Sequence, residues 1–145
     1  SMYKLVTNNV TPMPKLICPS LTSLEISTCP ELRGPFPSMG SCPLVVNLSI
    51  DGCSFESYSS GSLASLFELQ TFNARYNDFR TEDAQQIIKD IYTSYVANPR
   101  TQGTIDFRNN GLSLTSILNN NTPRLLNIDN RHYIFNCKWL EIKSI

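Results

Sequence analysis

Five cysteines, one histidine and balanced charge (12 Lys+Arg against 12 Asp+Glu) are the chemically competent side chains of this 145-residue chain. A thiol–imidazole nucleophile would have to use His132, and Cys137 is the cysteine near it in sequence. Neither an orienting carboxylate at a predictable distance nor an oxyanion hole accompanies that pair, so acyl-transfer chemistry is not indicated. No C-x-x-C step occurs, the aspartates lack calcium-loop spacing, and no glycine-rich phosphate loop is present. The expectation is therefore no catalytic residue, no metal and no cofactor. What the cysteines do have is periodicity: Cys18 and Cys42 are 24 residues apart, and so are Cys29 and Cys53.

That period extends beyond the thiols. Cys18-Pro19, Leu24, Ile26 and Cys29 return as Cys42-Pro43, Leu48, Ile50 and Cys53. A further 24 residues on stand Leu69, Phe72, Ala74, Asn77 and Phe79, spaced as L-x-x-L-x-L-x-x-N-x-L. A fourth copy, Ile105, Phe107, Asn110 and Leu112, follows after 33 residues, and a weaker fifth, Leu126, Ile128 and Arg131, after 21. Apolar residues at the fourth and sixth positions make a short strand with one face inward. The ninth position must turn the chain over that core, where backbone groups lack partners. Asn77 and Asn110 can donate and accept there, and Cys29 and Cys53 are smaller, drier occupants. An ordinary α+β domain with accidental spacing is the plainer alternative.

With these residues the chain resembles the leucine-rich-repeat superfamily over about residues 18–133. The resemblance implies an α/β solenoid of about five short parallel strands, one well-formed convex helix and terminal caps. The divisions would be a cap at 3–17, repeats at 18–41, 42–65, 66–98, 99–119 and 120–133, and a cap strand at 134–145. Pro35 and Pro37 forbid a helix in the first return, and the serine-rich second return has room for at most one short turn. Thr81-Glu82-Asp83 opens the helix with Thr81 as its capping residue, Ala84, Ile87, Ile88, Ile91 and Tyr95 form its apolar stripe, and Asn98-Pro99 ends it. Residues 113–118 suit another turn or two of helix. A piece cut from a longer array is an alternative to a nearly complete solenoid.

Within the superfamily, Leu21 to Leu32 is similar to cysteine-containing repeats of plant immune receptors. Ala84 to Ile91 followed by Gly103-Thr-Ile-Asp-Phe-Arg-Asn-Asn-Gly111 is similar to repeats of bacteriophage structural and bacterial surface proteins. The longer second match favours a virion or cell surface over the cytoplasm.

Outward strand positions then define the recognition candidates Asp51, Asn73, Arg75, Tyr76, Asp106, Arg108 and Asp129, a mixed-charge patch with one aromatic. The competing reading is a solvated face whose charges pair with one another. The ladder residues Cys29, Cys53, Asn77 and Asn110 are structural. Stacking would bring each cysteine pair near disulfide distance, although the odd number favours reduced core thiols. Zero net charge and a pI near 6.5 give no field for nucleic acid, and no apolar run is long enough for a membrane span. The expected partner is a protein or a surface ligand, met by a monomer or by part of a larger assembly. The functional expectation is a non-enzymatic binding or structural module, the alternative an intracellular module of immune-receptor or effector type.

Overall fold

Wherever the frame recurs, alternate residues are driven inward and the backbone extends. The computed structural model describes residues 2–5, 13, 15–113 and 140–143. In chain order they form β1 (Met2–Leu5), β2 (Ser23–Ile26), β3 (Arg33–Phe36), β4 (Asn47–Ser49), β5 (Ser54–Tyr58), β6 (Thr71–Asn73), α1 (Thr81–Ala97), β7 (Gly103–Asp106) and β8 (Leu140–Lys143). One sheet of six parallel strands runs β1-β2-β4-β6-β7-β8, and β3 and β5 form a separate parallel pair. The architecture is thus mixed α/β, with parallel strands and one helix among the described residues.

Register follows the frame. Leu24 lies beside Leu48, Leu48 beside Phe72, and Phe72 beside Ile105. These four side chains are almost wholly buried, together with Ile26, Ile50, Ala74 and Phe107 at the sixth positions. Behind the sheet, Phe36 packs edge-on to Phe55 at 5.5 Å between centroids and lies 5.9 Å from Phe72. Such contacts add to what area burial alone contributes.

The sheet takes in a strand at each edge, one from residues 2–5 and one from 140–143, the latter inside the segment read as a cap strand. The start of the chain, read as part of a cap over the first repeat, supplies a sixth strand, with Tyr3 in register with Leu24. Extending the sheet edge satisfies the backbone groups of β2 that a loosely packed cap would leave open. At the far end, the fifth repeat at 126–133 lies outside the described residues, as does the short helix expected at 113–118 beyond Ser113. The place beside β7 is held by β8, with Ile142 opposite Ile105 and packed against the core.

The returns obey local chemistry. The first is extended at Arg33–Phe36, as its prolines require, and the second, where at most one short turn was expected, contributes the partner strand Ser54–Tyr58. Their pairing shifts register between Gly34 and Pro35, where proline has no N–H to give. The helix begins at Thr81, so Arg80 is the N-cap and Thr81 is the first helical residue. The Asp83 carboxylate reaches back to accept the Arg80 N–H at 2.9 Å, as the third residue of a capping box does. Ala84, Ile87, Ile88 and Ile91 are buried, Tyr95 is half-buried, and the helix stops before Asn98-Pro99.

Candidate functional site

Strand ends on adjacent repeats bring four charges into one row. Arg75, just past β6, bonds Asp51 past β4 at 3.0 Å, and its Nε lies 3.9 Å from Asp106 at the end of β7. Arg108 grips Asp106 with two nitrogens, Nε at 3.0 Å and the terminal Nη2 at 2.7 Å. Its backbone N–H also donates to the same carboxylate at 3.1 Å. Asn73 serves differently: its Oδ1 accepts the Arg75 backbone N–H at 3.1 Å and fixes where that arginine leaves the strand. Tyr76, 57% exposed, is tied to the next repeat through its N–H to the Arg108 carbonyl at 3.2 Å. Asp129 lies outside the described residues.

Electrostatically the row holds its charges. Burial would raise the Asp106 pKa, but the hydrogen bonds and charge of Arg108, with the charge of Arg75, outweigh it, and the carboxyl sits below its ordinary value. Hydrogen bonding to Asp106, and its charge, raise Arg108 in turn. Arg75 Nε is buried with no hydrogen-bond partner. The charges therefore pair with one another, as the plainer reading of this face holds, while Tyr76 and Arg108 keep exposed surface. Ion pairing, hydrogen bonding and aromatic contact are the chemistry this row offers.

Beneath it lies the turn ladder, where three of the four ninth-position residues bond the repeat before their own. Asn77 Nδ2 donates to the Ile50 carbonyl of the preceding repeat at 2.9 Å, and to Ala74 and Arg75 of its own. Its Oδ1 accepts the Phe55 N–H at 3.1 Å. Asn110 repeats the pattern on the Ala74 carbonyl at 2.9 Å and the Phe79 N–H at 3.2 Å. The Cys53 thiol reaches the Ile26 carbonyl at 3.7 Å, whereas Cys29 points to Ser27 of its own repeat at 3.3 Å. Cys18, Cys29, Cys42 and Cys53 are free thiols, all but Cys18 buried. Burial above all pushes Cys53 up to about 12, reinforced by Cys29, Asp51 and Glu31 against a lowering backbone N–H of Cys29. Burial likewise raises Cys42. Cys137 and His132 lie outside the described residues, among which no group of three or more His, Cys, Asp or Glu could hold a metal ion.

Two further features went unread in the sequence, the backbone conformation of one column and a buried set of side chains. Thr28, Gly52, Tyr76 and Asn109, one column of the frame, share left-handed φ of 54°, 74°, 56° and 64°. A glycine and an asparagine in that column were the available signal. The second set is buried. Asp90 Oδ2 accepts the Tyr58 hydroxyl at 2.5 Å and the Gly61 N–H at 2.7 Å, while Asp83 Oδ1 accepts the Tyr58 N–H at 3.2 Å. Both carboxylates fall on the apolar side of α1, which a count of helical positions would have flagged. Burial, then Asp90, drives the Tyr58 pKa upward.

No helix among the described residues is long and apolar enough to cross a membrane. Comparison with protein-family models, with curated proteins and with solved structures found no match.

Proposed function

We propose that the chain is a leucine-rich-repeat solenoid acting as a non-enzymatic binding or structural module that meets a protein or surface ligand through the outward face of its sheet. The observation that carries this is the ladder: Cys53, Asn77 and Asn110 each reach back to the sixth-position carbonyl of the repeat before. Stacked coils need that link, since each closes the interior of its neighbour. The recognition surface is then the row Asp51, Arg75, Asp106 and Arg108, with Asn73 positioning Arg75 and Tyr76 as the exposed aromatic. The phage-virion or bacterial-surface setting rests on the likeness of residues 84–91 and 103–111 to such repeats.

Capture of purified bacterial envelope proteins and surface polysaccharides by the immobilised chain tests the face. Reversing Arg75→Glu and Arg108→Glu together should weaken capture about tenfold or more, with circular dichroism unchanged. Undiminished capture by a folded double variant would remove this face from the proposal. A genomic neighbourhood of tail and capsid genes would support the virion setting.

Buried free thiols favour a second reading, an intracellular recognition module, because reducing compartments preserve them. Thiol titration of protein from its natural source, prepared without reductant, separates the two. All five cysteines reacting on unfolding fits the intracellular module, and loss of thiols in pairs fits the surface.

A further inference from the structure

The chain has one Asn-Gly step, Asn110–Gly111, and it occupies a ninth position of the frame. We propose that this step is a self-modification site which the closed turn holds silent and local opening releases. In the reaction the Gly111 backbone nitrogen attacks the Asn110 carboxamide carbon. A Gly111 N–Asn110 Cγ bond forms, the Cγ–Nδ2 bond breaks, and the departing nitrogen takes the Gly111 amide proton to leave as ammonia. Water, the only co-reactant, then opens the cyclic imide on one side to an aspartate, or on the other to an isoaspartyl link with an extra methylene in the main chain.

Both the readiness and the restraint are local. Gly111 is exposed, adopts φ 72°, and among the described residues, its chain neighbours aside, no atom lies within 4 Å of where a side chain would begin; having no side chain of its own, it leaves its nitrogen uncrowded. Asn110, however, is held by the turn it closes. Its Oδ1 accepts the Phe79 N–H at 3.2 Å, and its Nδ2 donates to the carbonyls of Ala74 at 2.9 Å, Phe107 at 3.0 Å and Arg108 at 3.4 Å. Swinging Cγ toward Gly111 breaks this set, and the leaving nitrogen is the atom the three carbonyls hold. Asn77 is a control within the same molecule. It makes equivalent bonds but is followed by Asp78, whose side chain crowds the attacking nitrogen.

Modification is one-way in its structural effect. A carboxylate at 110 has no donor for those carbonyls and repels them, so the turn after β7 cannot close again. An isoaspartyl link also lengthens the backbone there. The repeat that carries Asp106 and Arg108 would be lost with it, making the step a chemical record of opening.

The test is to incubate the full chain at mildly alkaline pH, native and in guanidinium chloride. Peptide mapping then resolves asparagine, aspartate and isoaspartate. In denaturant, Asn110 should convert about tenfold or more ahead of Asn77, and Gly111→Ala should abolish that lead, a result independent of whether the variant folds. In the native chain, conversion at Asn110 should slow by on the order of a hundredfold, set by how often the turn opens. Equal rates in native and denatured chains would overturn the gate. Equal rates at Asn110 and Asn77 in denaturant would overturn the site.

Discussion

The two halves of the ladder solve one problem with different chemistry. In the first half, thiols at Cys29 and Cys53 fill the turn and give one weak donor each. In the second, Asn77 and Asn110 each satisfy one carbonyl and one amide of the preceding repeat, besides two carbonyls of their own. The returns explain the difference. Behind the cysteine turns, β3 and β5 pair as strands, so main-chain groups satisfy one another, as where Ser54 donates to the Leu32 carbonyl. On the far side of β5 the next return is α1, whose internally bonded backbone has nothing to offer a strand edge. Side chains stand in: Asn77 takes the Phe55 N–H, Asp83 takes the Tyr58 N–H, and Asp90 takes the Tyr58 hydroxyl. A change of return from strand to helix is thus accompanied by a change of ladder residue from thiol to carboxamide.

Breaking the carboxamide side should cost most. Asn77→Ala strands the Phe55 N–H and Ile50 carbonyl, and a loss of about 3 kcal/mol is expected in guanidinium unfolding. Cys53→Ala should lose only about 1 kcal/mol. Equal losses would dissolve the contrast. Tyr58→Phe removes the donor to Asp90 and the acceptor for the Leu63 N–H, at an expected cost of about 2 kcal/mol, read the same way. In the left-handed column, Gly52→Ala would place a Cβ 3.2 Å from the Thr28 nitrogen at φ 74°, and should cost about 1–2 kcal/mol. Tyr76→Gly should do the reverse, raising stability by about 0.5 kcal/mol as strain is relieved.

The smallest effect concerns pH. Asp106 has a lowered folded pKa, so its contribution is present above its ordinary value of 3.8 and fades as pH falls through the folded value. The stability gap between wild type and Asp106→Asn should therefore be constant at neutral pH and close below about pH 4. A gap that persisted in strong acid would assign Asp106 a role other than as a charge.

Much of the sheet was legible because its cause is short-range and periodic. Leu24, Leu48, Phe72 and Ile105 are consecutive in register, as the frame demands, and α1 ends where Asn98-Pro99 dictates. The ion-paired row was legible only as neighbours. The repeat frame named Asp51, Arg75, Asp106 and Arg108, but that Arg108 closes on Asp106 within its own repeat, leaving Arg75 Nε unbonded, depends on side-chain reach. The cap of α1 was misplaced by one residue because Thr81 and Asp83 are both competent cappers, and only the path of the chain from Phe79 chooses.

From its own order of residues the chain determined the spacing of inward side chains, the turn residues between them and the span of its helix, since each follows from contacts within a few positions. The edges of the sheet were decided elsewhere. Residues 134–145 read as a cap strand, but that Met2–Leu5 supplies the opposite edge and that Leu140–Lys143 pairs directly with β7 follows from open strand edges, and proximity in space selects what fills them. The burial of Asp83 and Asp90 was settled in the same way. A carboxylate on an apolar helix face is tolerable only once another strand brings it donors, and no local pattern records which strand that will be.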